Sequence, residues 1–192
     1  MFENIVKHYH NFPIKGIDFI DVIPFLQDKQ TFKDVVNKLG EMVTTSNIAT
    51  MEARGFLFAS PLLYGNNDIT NIIPLRKKGK LPHAENDLRQ VTIQKEYGQD
   101  EMFYRVSDFA KCKTSDEVIE ITLFDDLLAT GGTAQGIANS LNKETIDING
   151  KKYKLHVKEF IFLIEITNIP GRKILETIAP VKSLVKVAEE SC

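Results

Sequence analysis

Residues 121–133 read Ile-Thr-Leu-Phe-Asp-Asp-Leu-Leu-Ala-Thr-Gly-Gly-Thr, and no other stretch restricts the fold so tightly. The branched run Val118 to Phe124 predicts a buried strand ending at Asp125, and Gly132 to Leu141 predicts a helix. A strand that feeds a helix through a small-residue loop is the building block of a parallel α/β sheet, whose ligand crevice lies at the carboxyl ends of the strands. Two carboxylates there, Asp125 and Asp126, suit the vicinal hydroxyls of a sugar. Gly131 and Gly132 let the backbone approach a phosphate, Thr130 and Thr133 add hydroxyl donors, and the helix start supplies unpaired N–H groups. An acidic turn before an N-capped helix explains the two acids alone; it does not explain Ala129-Thr-Gly-Gly-Thr133 after them. Gly131 and Gly136 have Walker spacing, but Ile137-Ala138 stands where Lys-Ser/Thr is required.

The rest of the chain fits the same architecture. Asn47 to Met51, Asn71 to Leu75 and Phe160 to Ile166 read as further short strands. Phe32, Val35, Val36, Leu39 and Val43 recur at helical spacing, with Asp28 or Thr31 as the cap. Arg54 to Tyr64 reads as a helix in which Pro61 belongs near the first turns or makes a kink. Two hairpins interrupt the alternation. One joins Val91–Tyr97 to Met102–Val106 across Gly98-Gln99-Asp100. The other sets Ile146 and Ile148 against Tyr153, Leu155 and Val157 across Asn149-Gly150. Asn11 to Asp28 carries Pro13, Gly16 and Pro24 among Phe12, Phe19 and Phe25, which predicts an ordered irregular segment.

At 192 residues, with 43% hydrophobic and 26% charged residues, the chain is sized for one domain and excludes a disordered or fibrous class. A net charge of −2 argues against general nucleic-acid binding. Cys112 and Cys192 fit no metal spacing or disulfide framework, and no apolar run approaches the ~20 residues of a membrane span. The expectation is a soluble cytoplasmic domain with no nucleic-acid or membrane partner. His8-x-His10 points one way on a strand, but no neighbouring ligand in sequence completes a metal site, so the pair is expected at the surface.

The Ile121–Thr133 segment resembles the 13-residue 5-phosphoribosyl-1-diphosphate (PRPP) signature of type I phosphoribosyltransferases, and the remainder resembles the adenine phosphoribosyltransferase branch. Phe12-Pro13-x-x-Gly16-Ile17-x-Phe19-x-Asp21 resembles its N-terminal base-binding hood, and Glu52-Ala53-Arg54-Gly55-Phe56 its pyrophosphate loop. Arg76-Lys-Lys-Gly-Lys-Leu-Pro82 and Glu96-Tyr97-Gly98 resemble the ends of its flexible loop, and Phe162-Leu-Ile-Glu165 its strand beside the base. The matches run in family order from about Phe12 to Arg172.

The resemblance implies one α/β domain over residues 1–192. Its type I phosphoribosyltransferase fold would have a mostly parallel central sheet flanked by helices, a hood over about residues 9–28 and a flexible loop hairpin over about 76–98. It implies transfer of the phosphoribosyl group of PRPP to adenine, giving AMP and pyrophosphate, in a magnesium-dependent homodimer. Asp125 and Asp126 would hold the ribose; Ala129, Thr130, Gly131, Gly132 and Thr133 the 5′-phosphate. Arg54, Arg76, Lys77 and Lys80 would hold pyrophosphate. Asp18, Phe19, Ile20, Glu165 and Ile166 would frame the base, the hood reading it through main-chain groups. Glu96 would be the general acid/base, with Arg54 beside it in catalysis. Magnesium would be carried mainly by PRPP, without a protein cage. A non-proline cis peptide is implied at Ala53-Arg54.

Three departures stand out. Asp18 replaces an apolar hood residue, Ile20 replaces an arginine, and His83 follows Leu81-Pro82 where the family has glycine. Asn142 to Lys158 is longer than usual and belongs at the periphery. The altered hood leaves open the same chemistry on hypoxanthine, guanine or xanthine, and, because a fold does not fix a function, a non-catalytic sensor of PRPP or nucleotide is the other alternative.

Overall fold

A computed structural model describes residues 2–95 and 98–188. The ten strands, in chain order, are β1 (Lys7–His10), β2 (Asp18–Asp21), β3 (Asn47–Met51), β4 (Asn71–Lys77), β5 (Leu88–Lys95), β6 (Gly98–Arg105), β7 (Val118–Leu128), β8 (Thr145–Ile148), β9 (Lys151–Ile166) and β10 (Val181–Val187). Four α-helices join them: α1 (Lys29–Met42), α2 (Arg54–Gly65), α3 (Gly132–Leu141) and α4 (Gly171–Leu175).

The main sheet runs β10-β9-β7-β3-β4-β6-β5, with β8 paired to β9 at its side. From β10 through β4 every pairing is parallel. The hairpin β5–β6 and the short β8 add antiparallel pairs. From β3 the chain winds outward to β4, then returns to the other side of β3 for β7, β9 and β10. The order therefore reverses between β3 and β7, and the carboxyl ends of those two strands border the crevice of an open α/β sheet.

Both faces of the sheet are covered. Ile121, Leu123, Val157 and Phe160 pack with Ile137, Ala138 and Leu141 of α3 and with Val91, Ile93 and Tyr104 of the hairpin. On the other face Ile48, Phe124, Ile161 and Ile164 meet Val35 and Leu39 of α1, Phe58 and Leu62 of α2, and Ile20 of β2. Because strand side chains alternate, β7 sends Leu123 into one core and Phe124 into the other.

Several expectations are met in detail. Asp28 caps α1, its carboxylate accepting from the Thr31 N–H at 2.7 Å. Asn149 and Gly150 both have positive φ, as the two-residue turn between β8 and β9 requires.

Three expectations need correction. β7 does not end at Asp125 but pairs with β9 through Leu128↔Glu165, because β9 runs to Ile166 and keeps offering a partner. The two stretches expected as separate strands, around Tyr153–Val157 and Phe160–Ile166, are one 16-residue strand, with a register shift opposite Ile121/Thr122. Gly98, Gln99 and Asp100 lie inside β6, not in a turn, since Lys95 already pairs with Gly98. Of the two places open to Pro61, the first turns are ruled out: it sits well inside α2, where its nitrogen cannot donate to the Leu57 carbonyl.

Candidate functional site

The end of β7 carries the acids. Asp126 is buried and Asp125, beside it, is half-buried. Burial and the adjacent Asp126 carboxylate raise Asp125 well above the usual carboxyl range. Burial also raises Asp126, against the opposing pull of the Arg54 guanidinium. Arg54 Nε lies 2.8 Å from Asp126 Oδ2. Two neighbouring carboxyls with raised affinity for protons share charge poorly until something else donates to them.

The loop after the acids turns at Gly131, whose φ of +77° opens α3. A cleft of about 150 Å³, the scale of a single phosphate group and its solvent rather than a whole nucleotide, is lined by Asp125, residues 127–134 and Phe162. The loop is braced from outside by the start of α4. A Cβ on Gly171 would lie 1.9 Å from the Ala129 carbonyl oxygen, and one on Gly131 would lie 3.1 Å from the Gly171 oxygen. Nothing in the pattern around Pro170-Gly171 announces this contact; it joins residues forty apart.

The first turn of α2 is equally close. A Cβ on Gly55 would come within 2.6 Å of Thr50 Oγ1 and 3.0 Å of Asp125 Oδ1, so glycine lets α2 start against the acid pair. The Thr50 hydroxyl is fully buried and has no hydrogen-bond partner among the described residues. Before this turn the cis peptide is Glu52–Ala53, one bond earlier than expected: Glu52 still bonds Leu75 as an extension of β3, and the chain turns directly after it.

Glu52 supplies a further carboxylate at this turn. Its carboxylate accepts from Arg76 Nε at 2.7 Å and the Lys77 N–H at 2.9 Å. Burial works against its ionisation, yet those two donors hold it below its ordinary range. Arg76 is thus tied to the loop that carries Arg54. Lys77 and Lys80 are exposed beside it, and Lys78 faces Glu101 at 3.7 Å.

Over the acids lies the hood, a ribbon of β1 and β2 with His8↔Ile20, Tyr9↔Phe19 and His10↔Asp18 in register. Phe19 faces Arg54, whose guanidinium carbon sits 5.5 Å from the ring centroid, and Phe12 meets Phe19 edge-on at 5.3 Å. One guanidinium therefore spans from the Phe19 ring to Asp126. Ile20 is buried in the core. The histidine expectation holds for His10, which is exposed, but not fully for His8, which is half-buried; Asp18, ten residues from His8, brings its carboxylate to both rings. Long-range pairing supplied the acid that local sequence did not.

At the far side of the crevice, Ile166 is buried and ends β9. Glu165 is engaged by Arg172, at 2.6 Å to Nε and 2.5 Å to Nη2; burial opposes its ionisation and Arg172 restores it. Its carboxylate braces α4 instead of opening onto the crevice. Glu96 lies outside the described residues. Among those described, no three His, Cys, Asp or Glu side chains converge to hold a metal, and no helix is long and apolar enough to cross a membrane.

No family model matches the chain. Among individual proteins, it is 36% identical over 170 residues to the adenine phosphoribosyltransferase of Clostridium acetobutylicum, covering 87% of each chain. It is 33% identical to the enzyme of the same name from Crocosphaera subtropica, over 95% of this chain and 97% of that one. Among solved structures, adenine phosphoribosyltransferase from Thermoanaerobacter pseudethanolicus superposes with a TM-score of 0.76 at 31% identity, covering 97% and 98% of the two chains. The Saccharomyces cerevisiae enzyme, solved with an imino-altritol bisphosphate and adenine, superposes at 0.74 and 27% identity, covering 95% and 96%.

Proposed function

The chain belongs to the adenine phosphoribosyltransferase family, with a type I phosphoribosyltransferase fold, and we propose that it makes AMP and pyrophosphate from adenine and PRPP. The observation that carries this reading is the position of Arg54, between the Phe19 ring and the Asp125–Asp126 pair. A purine taken up at the Phe19 ring and a ribose on the acids would then lie side by side, with Arg54 moving aside to the leaving pyrophosphate.

Each group has a task. Asp125 and Asp126 accept from the ribose hydroxyls, which relieves two carboxyls that burial disfavours as anions. Backbone N–H groups of residues 129–133 and the α3 terminus hold the 5′-phosphate. Arg54, Arg76, Lys77 and Lys80 receive the pyrophosphate, Arg54 by leaving Asp126 and Arg76 by leaving Glu52. As the anomeric carbon loses pyrophosphate it gains positive character, and the adenine ring nitrogen bonds to it and gives up its proton. Fixed geometry and exclusion of water favour that transfer over hydrolysis. Glu96 is assigned the proton on its place before Tyr97-Gly98. The hood reads the base through the main chain of Asp18 and Ile20, with Phe19 and Ile166 on its two faces. Glu165 shapes that wall through Arg172.

Magnesium suits this donor set: two carboxylates beside a phosphate loop leave a hard cation to keep diphosphate and water oxygens. When bound it neutralises charge on the leaving group. We assign the protein to the cytoplasm and to a homodimer, in which Arg76 would reach the partner subunit's site. The test is pyrophosphate release with magnesium, PRPP and each of adenine, guanine, hypoxanthine and xanthine. Turnover confined to adenine is expected; turnover of another base alone, or none, would overturn the reading.

A further inference from the structure

The hood contains a charged cluster that the reaction above does not use. β1 and β2 form a two-stranded ribbon, and the register puts His8, His10, Asp18 and Ile20 on one face, with Tyr9 and Phe19 on the other. The Asp18 side chain is fully buried. His8 Nδ1 lies 2.7 Å from its Oδ2 and His10 Nδ1 3.2 Å from its Oδ1. A carboxylate oxygen can only accept, so His8 Nδ1 donates to Oδ2, while His10 Nδ1 stands at ion-pair distance from Oδ1. His8 is 16% exposed and His10 44%.

The direction of these side chains matters. Phe19 turns toward Arg54 and the acid pair, so Asp18, one residue earlier on a strand, turns away from them. Its carboxylate is not offered to the base. What Asp18 offers the crevice is main chain, carried on the strand whose partner strand is β1 on one edge only. A ribbon of four residue pairs is marginal by itself, so it depends on what ties it down: the core burial of Ile20 and Val22, the Phe19 contacts with Arg54 and Phe12, and this clamp on Asp18. We propose that His8 and His10 are positioning residues for base recognition. By clamping the buried Asp18 carboxylate they fix β2, and with it the Phe19 ring and the main-chain edge that meets the purine. The inference rests on the reading above, in which the hood binds adenine.

It predicts a separation of substrates. The cluster lies on the ribbon, whereas the acids, the 129–133 loop and Arg54 stand on β7, α3 and α2. Loosening the clamp should therefore weaken adenine and spare PRPP. The experiment is steady-state kinetics of the full chain with His8→Ala, His10→Ala and the conservative His8→Gln, which keeps an N–H donor, alongside thermal melts. His8→Ala should raise the KM for adenine about tenfold or more, as expected for losing a charge-assisted bond or misplacing a contact by a fraction of an ångström. The KM for PRPP, and kcat at saturating adenine, should stay within about twofold, and His8→Gln should recover most of the loss. Should His8→Ala fail to fold, the half-exposed His10→Ala carries the test with a smaller shift in the same direction. Unchanged KM for adenine in folded variants would overturn the inference alone. So would equal losses for both substrates, the signature of a merely structural role. A wild type inactive on every purine would instead overturn the functional reading and this inference with it.

Discussion

Replacing Gly171 with alanine isolates how the phosphate loop is held. The added Cβ would sit 1.9 Å from the Ala129 carbonyl oxygen, 3.0 Å from the Ala129 carbonyl carbon and 3.0 Å from Leu128 Cδ1. Real Cβ contacts keep at least 3.0 Å, so about 1.1 Å must be found against the oxygen alone. That oxygen is backbone and cannot swing aside as a side chain would. Either α4 backs away from the sheet or the loop moves into the crevice. Overpacking of this kind costs about 1–3 kcal/mol, or more where backbone must move. For a chain of this size that is a fall in Tm of roughly 2–12 °C. If the loop moves by about 1 Å, the phosphate misses its N–H donors and kcat/KM for PRPP drops about 100-fold. Melting curves and PRPP-dependent kinetics read the two effects separately. Gly150→Ala is the control: its Cβ would meet nothing within 4 Å, its φ of +83° still strains, and it lies on the β8–β9 turn. It should lose stability with PRPP kinetics unchanged. A Gly171→Ala protein with wild-type Tm and wild-type PRPP kinetics would refute the close-approach argument.

Other outcomes follow from the same geometry. Because Asp125 and Asp126 have raised pKa values in the fold, they favour the folded free protein at low pH, and that contribution is lost as pH rises through their folded pKa. Asp125→Asn should therefore raise Tm at neutral pH while weakening PRPP; in the wild type, PRPP affinity should climb as pH rises through the raised range in which the pair ionises, read by calorimetry across pH. Arg172→Ala strands the buried Glu165 carboxylate and should cost about 3 kcal/mol, roughly 6–12 °C in Tm; the depressed Glu165 pKa means this bond's contribution fades as pH falls. Burial pushes the Cys112 thiol up to about 11, so the peptide holding it should stay unalkylated by iodoacetamide at pH 8 in native protein and react after denaturation, read by mass spectrometry.

The parts legible in sequence were those written in adjacent residues. The strand–acid–loop–helix unit, the Asp28 cap and the Asn149-Gly150 turn each depend on a few consecutive side chains, and each appears where the pattern put it. Strand ends were misjudged where pairing, not local propensity, decides them: β7 runs past Asp125 because β9 accompanies it. Partners far apart in sequence were invisible. Arg54 meets Asp126, Glu52 meets Arg76, and Glu165 meets Arg172. The alternation of His8-x-His10 was a usable signal for a shared face, but the acid that makes it meaningful arrives from the next strand.

The central claim, that the acid pair is the ribose site, is tested most directly by titrating PRPP with magnesium into the wild type and into Asp125→Asn/Asp126→Asn, with melting curves on both. The account predicts saturable binding to the wild type, no measurable binding to the double variant, and a variant that remains folded. A folded double variant that binds PRPP with unchanged affinity would contradict it.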